Sequence, residues 1–482
     1  MDKIFESVNG FLSSVTGSIN SALYGYVLII LLIAAGLYFA VRTGFVQFRL
    51  FGAQIKAVTE KPEDGKGVSS FQALMVSTAS RVGTGNIIGV ATAIGLGGLG
   101  SIFWMWVIAI IGGATAFIES TLSQIYKKRG PDGAYGGPAY YIEGALKKRG
   151  LAVLFSVILV ITYGVGFNML ASYNLQSTFK TYSFYKDGVT SWIIGLVIAV
   201  LVAICLFGGG KRILKVTSVF VPFMGALYIL VALIVIAMNL TSIPSILGGI
   251  FQSAFDFKAI FGGFAGSCVM YGIKRGLFSN EAGVGSAPNA SASADVSHPV
   301  KQGLVQIVSV FIDTLLVCSA TAFMCVCSGV DPAKCLDASQ QFDAALYVQT
   351  SLSESFGIAG PIFITVSMVL FAFTTLLGNL FYVDKAFFHI FKKKPSKTFN
   401  TVYYILASLI IFVGAGLSAG LLWDIADLTM GLMTLINIPV IIILSKYAFR
   451  ALKDFEAQRK QGKNPEFTAE SIGITDETNY WN

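Results

Sequence analysis

Charge is what this chain has least of. Only 12% of its 482 residues are Asp, Glu, Lys or Arg, about half the roughly 25% usual for soluble domains. That is too little polar surface for a water-soluble fold of this length. Histidine is nearly missing as well. His298 and His389 are the two, and no HExxH, nucleophile elbow or Walker-type loop accompanies them, which argues against a membrane-embedded enzyme. The six cysteines (Cys205, Cys268, Cys318, Cys325, Cys327, Cys335) form no CxxC pair and read as packing thiols rather than metal ligands or disulfides. The alternating segments of about ten residues that mark a transmembrane β-barrel are lacking too. The opening MDKIFESVNGFLSSVTGSINSALYGY has no basic n-region and no A-x-A site, so it does not read as a cleaved signal peptide.

Apolar residues fill the space that charge leaves. The chain is 55% hydrophobic, with a mean hydropathy of +0.72. Its apolar runs of about 20 residues are each long enough to cross a hydrocarbon core of ~30 Å. They predict an all-α polytopic membrane protein with about eleven transmembrane helices, at 23–41, 69–97, 101–126, 150–178, 190–207, 213–238, 259–294, 299–327, 358–383, 399–419 and 422–446. The first stands apart and leaves five plus five. Five is odd, so the second group enters from the opposite side and the repeats are inverted. This divides the chain into 1–68 with the first helix, 69–238 as one repeat, 239–446 as the other, and 447–482 as a cytoplasmic tail. The net charge of +8 sits in short loops, at 42–68, 127–149, 208–215 and 385–397. These fall on one side, which puts the N-terminus outside and the C-terminus inside, and they are no footprint for nucleic acid. Two amphipathic stretches, 242–255 and 337–350, fall outside and would either cap a vestibule or lie in the interface.

Two of the apolar segments are interrupted at matching positions, in VSTASRVGTGNIIGVATAIGLGG and YGIKRGLFSNEAGVGSAPNASASA. Non-helical backbone at membrane depth survives only around a cavity or inside protein. A pair of such breaks, one per half, predicts two discontinuous helices and points to a transporter's binding site. A broken helix presents free N–H groups that suit a carboxylate and free carbonyls that suit a cation. At Val82-Gly83-Thr84-Gly85-Asn86, Thr84 and Asn86 add a hydroxyl and an amide. Small-residue helix packing is the bland reading of this motif. In the ninth segment, Thr374 and Thr375 lie three and four residues after Phe371, on one face beside its carbonyl. With the carbonyls of Ala79 and Val82 they would make a sodium site, unless the hydroxyls simply bond back to their own helix.

Charges at membrane depth cost at least ~2.5–3.5 kcal/mol and need partners or water. Arg81 is expected to pair with Glu281 or Glu119 and tie the broken helices together. Asp313 reads either as a second cation or proton site, with Asn86 beside it, or as a hydrogen-bonded helix contact.

The strings SRVGTGNIIGVATAIG, GSIFWMW, YGGPAYYIEGAL, KRGLFSNEAGVGSAPNASA and the terminal IGITDETNYW resemble the alanine or glycine:cation symporter family along nearly the whole chain. The resemblance implies a leucine-transporter-type fold in a prokaryotic plasma (inner) membrane. It also implies import of a small neutral amino acid coupled to Na⁺, with no organic cofactor. By the same resemblance, Ala79, Val82, Phe371, Thr374 and Thr375 match the fold's sodium site. Thr84 and Gly85 would meet the substrate carboxylate, and Asn280 and Asn168 would face the substrate. Where the family pattern has LGW, this chain has LLGN, so Asn379 replaces a bulky pocket wall and opens the way to serine, threonine or another small polar amino acid. Two alternatives stand beside this reading. A proton-coupled permease of the same fold would titrate Asp313 or Glu281, whereas a channel would need polar residues along whole helices rather than clustered at mid-depth.

Overall fold

A helix satisfies its backbone internally, which makes it the simplest way for an apolar run to cross a bilayer. A computed structural model describes residues 15–62, 67–130, 133–256, 267–337, 339–474 and 480–481. Besides short helices at Val46–Arg49, Phe51–Thr59 and Pro138–Leu146, its helices begin, in chain order, with α1 (Val15–Arg42), α2 (Ser70–Arg81), α3 (Ile88–Gly97), α4 (Gly100–Ile125), α5 (Arg149–Ser177), α6 (Thr190–Leu206) and α7 (Gly209–Met238). They continue with α8 (Ile243–Ala254), α9 (Cys268–Asn280), α10 (Pro288–Ser291), α11 (Pro299–Val326) and α12 (Ala344–Phe356). The last are α13 (Ala359–Phe391), α14 (Lys397–Gly414) and α15 (Ala419–Lys460). Eight helices among the described residues, α1, α4, α5, α7, α11, α13, α14 and α15, are long and apolar enough to span a membrane. The protein is an all-α polytopic membrane protein.

Three expected segments are not single long helices. The 190–207 segment is α6, with 17 residues. The 69–97 segment is α2 and α3 joined by a break that holds one short 3-10 turn, Thr84–Asn86. The 259–294 segment begins outside the described residues, and its helix α9 ends at Asn280. Beyond Asn280 the chain forms no second half-helix; it runs irregularly into the four-residue α10. Gly283 and Gly285, at φ +89° and +88°, hold that run in the left-handed region where glycine is favoured.

Helix α4 is the axis of the interior. Small residues let its neighbours close on it, as expected where lipid offers no hydrophobic drive between helices. A Cβ on Gly276 of α9 would lie 2.5 Å from Ile108, and one on Gly303 of α11 would lie 2.3 Å from the Thr121 hydroxyl. On the periphery, α6 and α14 turn exposed leucine, isoleucine and valine outward. The amphipathic stretches also pack: α8 receives the Trp104 indole N–H at the carbonyl of Ala254 (3.2 Å), and α12 is N-capped by Asp343, which accepts from the N–H groups of Ala345 and Leu346.

Basic loops far apart in sequence gather at one end of the bundle. There Arg49 pairs with Glu456 (2.7 Å), Arg149 with Glu143 (2.9 Å) and Lys301 with Glu60. The expected tail boundary at residue 447 is not a structural break. Helix α15 continues to Lys460 because Ala448, Ala451, Leu452 and Phe455 stay buried. Beyond it the chain folds back. The Trp481 indole donates to the Gln124 carbonyl (2.7 Å), and the buried Lys127 ammonium lies 3.8 Å from the Tyr480 ring centroid and 4.6 Å from that of Trp481. Truncating a buried tryptophan costs about 3 kcal/mol. Trp481→Ala therefore lowers the thermal-unfolding midpoint of the purified protein, whereas Trp481→Phe, which keeps a ring over Lys127, lowers it less.

Candidate functional site

The two breaks face each other. Helix α2 starts with a capping box, in which the Ser69 hydroxyl accepts from Gln72 N–H and the Gln72 side chain accepts from Ser69 N–H. It ends at Val82, and Gly83 continues in an extended conformation. The Asn86 carboxamide oxygen accepts the N–H of Gly83 (2.8 Å) and closes the turn. Helix α13 passes so near that a Cβ on Gly83 would lie 2.2 Å from the Thr375 hydroxyl oxygen. A side chain there has no room.

Four of the five expected cation ligands fall into two pairs. The Thr375 hydroxyl reaches across to the carbonyl of Ala79 (3.0 Å), so it joins α13 to the unwinding end of α2. The Thr374 hydroxyl instead bonds back to the carbonyls of Leu370 (3.0 Å) and Phe371 (3.2 Å) and touches the Met224 sulfur. Back-bonding thus describes Thr374 but not Thr375. Val82 lies buried at the end of α2. Carbonyl and hydroxyl oxygens make a donor set that fits a hard cation such as Na⁺.

Beside this cluster is a cavity of about 10 Å³, the room of about one water. Ser80, Arg81, Gly83, Thr84, Gly85 and Thr375 line it together with Phe167, Leu170, Ala171 and Phe278. Phe167 and Phe278 stack with centroids 4.6 Å apart, and Trp423 packs on Phe278 at 4.8 Å. Behind Trp423, Asp427 holds Arg275 (2.6 Å) and Lys274 (2.8 Å). Asp427 and Asn174, whose carboxamide N–H donates to the Thr84 hydroxyl (3.1 Å), were missed in the sequence reading. Each is a polar residue in an apolar run, the same signal that singled out Asn168 and Asp313.

Polar residues behind the cavity form chains. The Ser80 hydroxyl donates to Asn379 (2.7 Å), and Asn379 donates to Asn168 (3.0 Å). The NH₂ group of Asn168, fully buried, has no protein partner. Asn280 is not among the lining residues; its carboxamide oxygen accepts the N–H of Ala282 (3.0 Å), just beyond the end of its helix. Asn86 and Asp313 do meet, at 2.7 Å. The Asp313 carboxylate also accepts from Ser279 (2.5 Å) and Thr314 (2.8 Å). The wide π-helical turn Phe311–Cys318 carries it there.

The expected direct pairing of Arg81 with a glutamate is not found. Among the described residues Arg81 makes no ion pair within 4 Å and donates instead to the Gln306 side chain (3.0 Å). Glu281 accepts from Ser286 (2.6 Å) and Ser80 (3.3 Å), and Glu119 accepts from Asn437 (3.0 Å). Neutral donors have taken the place of the ion pair, because the serines and the asparagine stand nearer the carboxylates than the guanidinium does.

An all-helical membrane protein whose two helix breaks enclose an oxygen cluster and a closed cavity has the build of a carrier. The comparisons agree. Residues 9–469 match the sodium:alanine symporter family, and the chain belongs to that family. It is a transporter and not an enzyme. It is 43% identical to the amino-acid carrier protein AlsT of Bacillus subtilis, over 92% of each chain. It is 42% identical to the probable sodium/glutamine symporter GlnT of the same organism, over 95% of this chain and 93% of that one. With the sodium/alanine symporter AgcS of Methanococcus maripaludis it shares 36% identity over 94% of this chain and 99% of that one.

The contact at Gly83 yields a paired test. Gly83→Ala drives a methyl into the Thr375 hydroxyl and reduces amino-acid uptake by at least about tenfold, if relieving the clash costs about 1.4 kcal/mol or more. Removing that hydroxyl as well, in Gly83→Ala/Thr375→Ala, returns thermal stability toward that of Thr375→Ala alone. Additive losses in the double variant would show that the two positions do not meet.

Proposed function

We propose that this chain imports a small neutral amino acid together with Na⁺ by alternating access. One observation carries the reading: the Thr375 hydroxyl meets the Ala79 carbonyl at the unwound end of α2, beside the cavity lined by Thr84 and Gly85. Na⁺ would be taken up by the oxygens of Ala79, Val82, Phe371, Thr374 and Thr375, once Thr374 turns from its back-bonded rotamer. The free N–H groups after the break would take the substrate carboxylate. An amino acid is far larger than the cavity, so the stacked Phe167 and Phe278 must part, and the Arg275–Asp427 pair with them.

The driving force is adequate. One charge falling through 100 mV releases ~2.3 kcal/mol, and a tenfold Na⁺ gradient adds ~1.4 kcal/mol. One Na⁺ per substrate thus supports accumulation of several hundredfold. The gathered basic loops favour a cytoplasmic location for that end, which leaves the N-terminus outside in a prokaryotic inner membrane. Residues 69–238 and 239–446 then form the inverted repeats. Alanine is the first substrate to test, given the relatives' names. The buried Ser80–Asn379–Asn168 chain supports a small polar amino acid beside it, and the glutamine relative widens the set.

Uptake of radiolabelled alanine into proteoliposomes, with unlabelled competitors and with or without inward Na⁺, tests the proposal. Loss of one ligand hydroxyl in Thr375→Ala should raise the Na⁺ concentration for half-maximal uptake by about tenfold. Thr374→Ala shifts it less. An unchanged Na⁺ dependence in both would remove this site.

A second reading concerns Asp313, whose buried carboxylate is met by three neutral donors and, among the described residues, by no cation within 4 Å. If it binds a proton or second cation, Asp313→Asn flattens the pH dependence of uptake or lowers the number of coupled charges. If it is a helix contact, the variant keeps both and loses only stability.

A further inference from the structure

A surface cavity away from the site above has no part in it. It is about 370 Å³, within the range of small-molecule sites, and lies between the basic ends of α1 and α15. Four cations line it: Arg42 from α1, and Lys446, Arg450 and Lys453 from α15. Their spacing on α15, four and then three residues, puts the last three on one helix face. Among the described residues no carboxylate lines the cavity. The nearest acids along α15 are engaged elsewhere, Asp454 with His298 (3.2 Å) and Glu456 with Arg49 (2.7 Å). Aromatic rings set two of the cations: the Arg42 guanidinium lies 5.1 Å from the Phe449 ring centroid and 5.7 Å from that of Tyr38, and the Lys446 ammonium lies 5.0 Å from that of Tyr447.

The other wall is apolar. Ile442 and Ile443 line the cavity and continue into exposed hydrocarbon, with Ile443 60% and Val41 62% exposed. A cationic pocket floored by a lipid-facing apolar strip suits a ligand with an anionic head and hydrocarbon chains.

We infer that the Arg42/Lys446/Arg450/Lys453 cavity is a binding site for the headgroup of an anionic phospholipid, which would pin α1 to α15. The phosphate lies among the four cations, and the acyl chains run along Ile442 and Ile443. Basic pockets between helices at a membrane boundary recognise such headgroups, each cation being worth about fivefold in affinity. The inference does not depend on what the protein transports.

Native mass spectrometry of the full-length protein in detergent, titrated with phosphatidylglycerol or phosphatidylcholine, tests it. The wild type should hold phosphatidylglycerol, and phosphatidylcholine should not compete. Arg42→Gln/Lys446→Gln/Lys453→Gln should weaken binding about a hundredfold at three charges of about fivefold each. Arg450 is left in place because it also holds the Ile472 carbonyl (3.0 Å). Lys446→Arg/Lys453→Arg keeps the charge and should bind as the wild type does, which guards against a folding defect in the triple variant. Equal retention of the two lipids, or wild-type affinity in the triple variant, would overturn the assignment. Displacement of phosphatidylglycerol by millimolar inorganic phosphate would overturn it in favour of a site for free anions.

Discussion

Backbone polar groups freed at mid-membrane are the constraint around which the interior is arranged. Each unmet N–H or C=O in hydrocarbon costs several kcal/mol, so the groups freed at each break must be met by side chains of the break itself or of another helix. At the first break, Asn86 takes the Gly83 N–H and Thr375 donates to the Ala79 carbonyl. At the second, Asn437 of α15 donates to the Gly283 carbonyl (3.0 Å) as well as to Glu119, and it accepts from Tyr141. The Asn280 side chain accepts the N–H of Ala282. The mid-depth polar residues are therefore the complement of the two interruptions, and the helices that supply them are tied to the breaks.

The same bonds make the site switchable. The Thr375 hydroxyl can donate its hydrogen to Ala79, or both oxygens can face a cation, but the two arrangements exclude each other. On the proposed reading, Na⁺ exchanges a neutral hydrogen bond, worth about 1 kcal/mol net, for coordination by the same atoms. A ligand shifts an equilibrium only by its differential affinity for the two states. Replacing a bond that joins two helices supplies such a difference, and it acts where α2 unwinds.

The membrane class and the two breaks were legible because they follow from composition and from glycine where leucine belongs. The Thr375–Ala79 contact and the Asn86–Asp313 contact were legible too, since each joins polar groups set in apolar runs. Three things were not. The shape of the second break depends on left-handed glycines and on Pro288, which turn a second half-helix into a single turn. The role of Asn280 as an acceptor for Ala282 rather than a lining residue depends on a rotamer. Arg81 depends on relative distance: charge complementarity named the glutamates as its partners, but serines and an asparagine lie closer to them, and Gln306 lies closer to it.

That substitution bears on how the protein moves. A buried ion pair broken in low dielectric leaves an uncompensated charge at a cost of roughly 3–5 kcal/mol, so a direct Arg81–glutamate bridge would resist any separation of α2 from α4 and α9. Hydrogen bonds through Gln306, Ser80, Ser286 and Asn437 can be exchanged one at a time, each for a fraction of that cost. A direct buried pair is kept elsewhere, where Asp427 holds Arg275 behind the aromatic stack. Two parts of the interior are closed in different ways. One is closed by Phe167, Phe278, Trp423 and the Asp427 pair. At the other, Gln124 donates to the carbonyls of Ser291 and Ala294, Lys127 donates to Ala294, and Trp481 closes over Gln124. Opening the first breaks one ionic cluster and an aromatic contact, whereas opening the second strips several buried backbone carbonyls of their donors at once.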